Sequence, residues 1–508
     1  MTAAPVYLDH AATTPVDPRV LALLHAILVD APGNPASQHE PGRRAAGHIA
    51  TAREQVAALI QAPPESIVFT SGATEANNLA ILGHVRGQPA ARRAQGHVVT
   101  LATEHKSVLA PVRRLQHEGL RTTFLVPDRE GLLQPEALAA ALRPETLLVS
   151  LLWVNNETGV CQDIPALAAV CRERGVALHV DAVQAAGKLP VEVAGIDYLS
   201  LSAHKLGGPQ GIGALYVAPP QRAGLEPLLV GGGQERGLRA GTLPTHQVAA
   251  FGLACVLARV ELATLAPLWQ ALGQRLQAAL ADLPGVLLNG HPHRRAPHIV
   301  NLSFEDVEGE ALLAGLAELA VASGSACDSA SGEPSYVLRA LGRDSALAQA
   351  SLRFSFGRGT TPADIDIATG ALRRELQRLR ALSPNTPAPV DDWRQAGLPL
   401  RSGEAGSRRE GAWVRWHLAL DGSGRISGAR PQVFGCPQVM AAAQALAAAL
   451  PGQDLAALAA PTPQALWNAL GTPDEWRRSV NAPVEKLGRM LIIEDALRAA
   501  LACAAAGT

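Results

Sequence analysis

Residues 198–217 read YLSLSAHKLGGPQGIGALYV. An apolar run leads into Ser202, His204 and Lys205 and then into a glycine-rich turn. Polar groups gathered just past a buried-type strand are the pattern of an open α/β sheet, whose ligands sit beyond the carboxyl ends of the strands. Outward from this stretch the pattern repeats. SIVFT (66–70), HVVTLATEH (97–105), ETLLVSLLWVN (145–155) and VALHVDAVQ (176–184) are apolar, β-leaning runs with polar exits. REQVAALI (53–60) and EANNLAILGHV (75–85) carry helical spacing. Strands alternating with helices predict a mostly parallel sheet covered on both faces.

After Gly241 a long Ala/Leu-rich stretch reads as helix, and PHIVNLSFE (297–305) and ASLRFSFGR (350–358) read as strands of a smaller α+β unit. LSPNTPAPVDDW (382–393) is proline-rich and marks a boundary, and RSGEAGSRREG (401–411) extends it as a polar, Gly-rich stretch. Beyond it, WVRWHLALDGSGRISGARPQVF (413–434) has the form of a hairpin around Asp-Gly-Ser-Gly. Two helical runs, 437–450 and 483–506, complete a separate C-terminal unit.

The chain has 508 residues, 48% of them hydrophobic, and a formal net charge of −1. That balance supplies no electrostatic case for nucleic acid or a membrane surface. No basic region followed by an apolar run opens the chain, and the apolar stretches read as too short or too interrupted to span a bilayer. The six cysteines (Cys161, Cys171, Cys255, Cys327, Cys436, Cys503) lack CxxC spacing, which fits neither a disulfide framework nor a zinc site. A reduced, cytoplasmic setting is the expectation, with no metal.

The polar strand exits carry the chemistry. Lys205 ends a buried-type strand beside His204, where desolvation favours a neutral, imine-forming amine; a solvated surface lysine is the plain alternative. Asp181 and Gln184 follow another strand. An aspartate there can pair with a protonated pyridine nitrogen, as pyridoxal phosphate requires, or simply cap a loop. TSGATEANN (70–78) joins strand to helix and offers backbone N–H groups to a phosphate. His105 stands where an imidazole can stack on a planar cofactor. Arg353 suits a carboxylate, or an ordinary ion pair. ASGSACDSASGEPSYVLRALG (322–342) sets Cys327 among small polar residues, where a structural thiol would have larger apolar neighbours. AAGKLP around Lys188 lacks the leading glycine of a P-loop, no HExxH occurs, and GGPQGIG opens no dinucleotide-binding unit.

Together with YLDHAATTPVDPRV (7–20), GNPASQH (33–39), VNNETGV (154–160) and GGGQERGLRAGTLP (231–244), these segments resemble the cysteine desulfurases of the NifS/IscS type, in the class V aminotransferase family. The resemblance runs in order over about residues 6–383. It implies fold type I of the pyridoxal-phosphate-dependent transferases: residues 1–383, with a large domain at about 15–250 and a small one from the N-terminal residues plus about 251–383. A linker at 384–400 and a C-terminal α+β domain at 401–508 follow.

The resemblance also implies roles. Lys205 holds pyridoxal 5′-phosphate covalently, His105 stacks on its ring, Asp181 faces the pyridine nitrogen and Gln184 the phenolic oxygen. Asn156 places cofactor and substrate. Ala73, Thr74, Ser202 and His204 grip the phosphate, and Thr242 reaches the phosphate of the partner in a homodimer. Arg353 takes the carboxylate of L-cysteine, and Cys327 is the nucleophile that accepts the sulfur as a persulfide, for transfer to acceptors such as an iron–sulfur scaffold. A selenocysteine or other C–S lyase of the same family, or a regulatory pseudoenzyme, is the alternative.

The C-terminal unit resembles the NifU/IscU-type scaffold with most cluster ligands missing. Cys436 remains, but Glu410, Ala412 and Arg489 stand where two cysteines and an aspartate are expected. One thiolate does not hold a cluster. A retained fold covering the scaffold's docking surface is the leading expectation, and sulfur relay through Cys436 the next.

Overall fold

The computed structural model describes residues 4–30, 32–323, 333–383, 386–459 and 463–503. Seven strands form the central sheet: β1 (Ile67–Thr70), β2 (His97–Leu101), β3 (Arg121–Leu125), β4 (Thr146–Leu152), β5 (Ala177–Asp181), β6 (Tyr198–Ser202) and β7 (Gly213–Val217). Their spatial order is β1-β7-β6-β5-β4-β2-β3. Only β7 runs against its neighbours; the other strands share one direction. Strands β1, β2 and β4–β7 are buried along their whole length, as a sheet covered on both faces requires. This is the mixed α/β, parallel-dominated sheet expected from the alternation. The sequence pattern left out β3, a half-exposed edge strand, and the antiparallel β7.

The helix Glu40–Leu59 packs against the 34-residue helix Thr245–Ala278 on one side of this sheet. By length and apolar content the second helix is capable of crossing a membrane, contrary to the sequence expectation. Its apolarity has another use here: Val248, Phe251, Ala254, Cys255, Trp269, Leu272 and Leu276 are buried in the protein core.

A second sheet is built from β8 (Val286–Leu288), β9 (Ile299–Phe304), β10 (Ala322–Ser323) and β11 (Ser351–Ser355), in the order β10-β11-β9-β8. The N-terminal residues join this side of the molecule, with Val6 and Tyr7 paired to Leu319 and Ala320.

Beyond residue 390 lies a three-stranded antiparallel sheet of β12 (Leu400–Ser407), β13 (Ala412–Leu420) and β14 (Ile426–Phe434). The hairpin is as expected, but the polar Gly-rich stretch is a strand rather than a connector. Its small residues are the reason: a Cβ on Gly403 would meet the backbone of Ala499 and Ala500 at 2.0–2.3 Å, so helix Leu487–Ala502 lies directly on the sheet. The proline-rich stretch is also folded down. Trp393 rests on Gly428, and the Arg430 guanidinium sits 4.1 Å from its ring centroid. One hydrophobic cluster runs from Trp269, Phe304 and Phe354 through to Trp416, Met490 and Leu497.

Candidate active site

Because β2, β4, β5 and β6 end on the same edge, their exits converge. They wall a cavity of about 510 Å³ together with the 71–75 turn, Ala11, Ala12 and Arg353. Ala73, Thr74, His105, Asn156, Asp181, Gln184, Ser202, His204, Lys205 and Arg353 all line it. Thr242 does not; it is exposed on the segment preceding the long helix. Cys327 lies outside the described residues.

Lys205 closes the short 3₁₀ turn after β6, and its Nζ donates to the Ala11 and Ala12 carbonyls at 2.6 and 2.5 Å. Gln184 Nε2 donates to the same Ala11 carbonyl at 2.8 Å. The N-terminal segment is thereby part of the site. Asp181, the last residue of β5, accepts from Asn77 Nδ2 at 2.8 Å through Oδ2 and from the Val183 N–H at 3.0 Å through Oδ1. Asn77 Nδ2 also donates to Ser107 Oγ at 2.8 Å, and Ser107 Oγ lies 2.7 Å from His105 Nδ1. One buried amide therefore sets both the carboxylate and the imidazole side of the cavity.

His105 caps the helix Lys106–His117, its Nδ1 accepting from the Ser107 N–H at 3.1 Å. Burial pushes its pKa below the usual imidazole range, Lys205 and Lys106 act in the same direction, and Asp181 opposes. Burial and Lys205 press His204 down to about 4. Both rings are neutral near pH 7. Arg353, on β11, is 2% exposed; Nη1 donates to the Asn156 carbonyl at 2.8 Å and Nη2 to Asp9 Oδ1 at 2.6 Å, while its buried Nε makes no hydrogen bond among the described residues.

The donor set suits a pyridine cofactor bearing a phosphate. A carboxylate, a neutral imidazole and an amine face one cavity. The helix beginning at Ala73 follows Gly72 with no side chain capping its first turn, which leaves backbone N–H groups for a phosphate. Gly213 keeps the floor tight, since a Cβ there would sit 2.7 Å from Gly72 Cα.

The ends of the segment carrying Cys327 are anchored beside this cavity. Ala322 pairs with Arg353 itself. On the far side Ser335 Oγ donates to Glu157 Oε2 at 2.5 Å and the Tyr336 hydroxyl to the Glu104 carbonyl at 2.6 Å.

Residues 6–367 match the family model described as Aminotransferase class-V. The cysteine desulfurase IscS of Methylococcus capsulatus is 50% identical over 383 residues, covering 75% of this chain and 94% of that one. That of Vibrio campbellii is 51% identical over 385 residues, covering 75% and 95%. The chain belongs to the cysteine desulfurases of the class-V aminotransferase family. The desulfurase fold agrees: a solved NifS-like protein superposes with a TM-score of 0.67 at 31% identity, covering 74% of this chain and 99% of that one. DndA from Streptomyces lividans gives 0.58 at 40% identity, covering 70% and 98%.

Asn77, Ser107 and Asp9 escaped the residue-by-residue reading of the site. Asn77 sits inside the quoted TSGATEANN, and its signal is a polar residue at a buried helical position, 0% exposed.

In the C-terminal unit, Cys436 is fully buried at the N-cap of helix Pro437–Ala449, with the Lys486 and Arg489 cations close to its sulfur. Glu410 and Arg489 line a cavity facing Asp306 and Asp344 of the neighbouring unit. Ion pairs cross between the units, Arg408 to Asp306 and Lys486 Nζ to Glu310 Oε2, the latter at 2.5 Å. Among the described residues no three His, Cys, Asp or Glu side chains converge to hold a metal.

Proposed function

We propose that this enzyme takes the sulfur of L-cysteine onto Cys327 as a persulfide, releases L-alanine, and passes the sulfur to acceptor proteins of iron–sulfur or thio-cofactor synthesis. The observation that carries this reading is the convergence of Lys205, Asp181, His105 and Arg353 on one cavity. Lys205, Asp181, Gln184, His105 and the N–H groups at Ala73 and Thr74 would hold pyridoxal 5′-phosphate, which when bound would supply an electron sink at the substrate α-carbon. The chain's own groups do the rest. Arg353 receives the substrate carboxylate with its unpartnered Nε edge, Asn156 borders it, and the Lys205 amine accepts and returns protons at the α-carbon. The Cys327 thiolate attacks the substrate sulfur, so that the new S–S bond forms as the C–S bond breaks.

Cys327 stands five residues past Ala322, which is paired with Arg353, so the chain carrying it leaves from the wall of the cavity. Thr242 belongs with the site of a second copy in a homodimer, in keeping with its exposure and its absence from this cavity. The division at 384–400, a cytoplasmic setting and a C-terminal unit of NifU/IscU-like fold without cluster chemistry complete the proposal. Burial of Cys436 beneath two cations and the ion pairs to Asp306 and Glu310 support a unit that covers an acceptor-docking face in cis.

The test is sulfide and alanine release from L-cysteine with a reductant, for the wild type and Cys327→Ala. Both products from the wild type and neither from the variant are expected. Wild-type protein that binds cofactor without making alanine would sink the reading.

A further inference from the structure

A second cavity, of about 740 Å³, lies against the same N-terminal segment that walls the catalytic one. Ala11 and Ala12 face the catalytic side, whereas Tyr7, His10 and Thr14 face this one. Lys188 projects into it. The residue is 7% exposed, and its Nζ lies 4.7 Å from the centroid of the Trp269 ring. Among the described residues the Lys188 amine makes no hydrogen bond and no ion pair.

Both acids on the cavity wall, Asp17 and Asp364, are already engaged. Asp17 is held by Arg19 at 2.8 Å, and Glu261, outside the wall, pairs with the wall's Arg19 at 2.7 Å and Arg358 at 2.6 Å. Asp364 is consumed in the capping box of helix Pro362–Arg380. The other charged groups near Lys188, Arg358 and Lys205, repel it. His10 and His298, also close by, are held neutral by burial, His10 at about 4. Burial and these two cations press the Lys188 amine down to about 7. A buried cation with no counter-ion is costly, and a single carboxylate placed beside it would remove that cost. Trp269, Leu265, Leu206 and Val16 supply the apolar part of the wall, and the Arg19 and Arg358 guanidiniums that also line it are paired with Asp17 and Glu261. With both guanidiniums paired, one unmatched positive charge beside the apolar part of the wall suits a monoanion with an apolar body rather than a phosphate.

We propose that this cavity binds a small carboxylate with an apolar body, its carboxylate pairing with the Lys188 ammonium and its body resting on Trp269. The site is separate from the desulfurase chemistry, but its occupant bears on the segment whose carbonyls hold Lys205. Pairing favours the charged amine, so binding above neutral pH takes up a proton.

The test is calorimetric titration of the holoenzyme with 4-phenylbutyrate and, as its neutral twin, 4-phenylbutyramide, at about pH 8 in two buffers of different ionisation enthalpy. The acid is expected to bind at least roughly tenfold tighter than the amide, with proton uptake. Lys188→Arg should keep that preference and Lys188→Met should abolish it, with near-ultraviolet circular dichroism unchanged. Equal binding of acid and amide, no binding of either up to about 10 mM, or a preference that survives in Lys188→Met overturns the proposal. Should Lys188→Met fail to fold, the wild-type contrast and the proton count decide alone.

Discussion

The Tyr336 hydroxyl donates to the Glu104 carbonyl at 2.6 Å, one residue before His105. The returning end of the Cys327 segment is thus fastened to the wall of the catalytic cavity. A net hydrogen bond of this kind contributes about 0.5–1.5 kcal/mol. Tyr336→Phe should lower the rate of alanine release roughly 2- to 12-fold while cofactor absorbance and KM for L-cysteine hold. A raised KM with unchanged kcat would place the effect in substrate binding and count against an anchoring role.

Arg353 offers a planar fork whose Nη1 and Nη2 are fixed by the Asn156 carbonyl and Asp9. Lysine cannot hold both and still meet a carboxylate. Arg353→Lys should lose about 1.5–3 kcal/mol of transition-state binding, roughly 10- to 150-fold in kcat/KM. Steady-state kinetics on L-cysteine checks this, and a change under twofold would remove Arg353 from substrate binding.

Glu308 caps the helix Gly309–Gly315 through the Ala311 N–H at 2.8 Å, and burial, with Glu310 adding, raises its pKa from 4.5 to about 7 despite Arg489 and Lys486. The folded state therefore binds this proton more tightly than the unfolded chain does. Its stabilising effect is complete at acid pH and is lost as pH rises through about 7. The difference is worth about 3 kcal/mol. Glu308→Gln, which keeps an acceptor for Ala311, should raise the melting temperature at about pH 8 and leave it nearly unchanged at about pH 4. Equal shifts at both pH values would refute the titration.

Thiol reactivity follows burial. Desolvation lifts Cys161 and Cys171 to about 12 and Cys255 upward as well, and Cys436 is wholly buried, whereas Cys503 is exposed. In a Cys327→Ala background, a maleimide should label Cys503 in the native protein and the other four only after denaturation. Early labelling of Cys436 would restore the sulfur-relay reading of the C-terminal unit.

The sequence by itself determined the parallel-dominated sheet and the placing of Lys205, Asp181 and His105 at strand exits. These are local matters: apolar runs of strand length and polar residues directly after them survive in one dimension. It also marked the C-terminal hairpin. Only the tertiary structure decided which distant groups meet. Asp9 reaches Arg353 across 344 positions, Asn77 reaches Asp181 across 104, and Ala11 and Ala12 close over Lys205 from the far end of the chain. Strand β12 was hidden for a related reason. Its glycines and alanine look like a flexible connector until helix Leu487–Ala502 is laid on them, and its proximity is what makes small residues necessary. Lys188 shows the same limit, since an unmatched charge is a property of everything around it, and no stretch of sequence contains its surroundings.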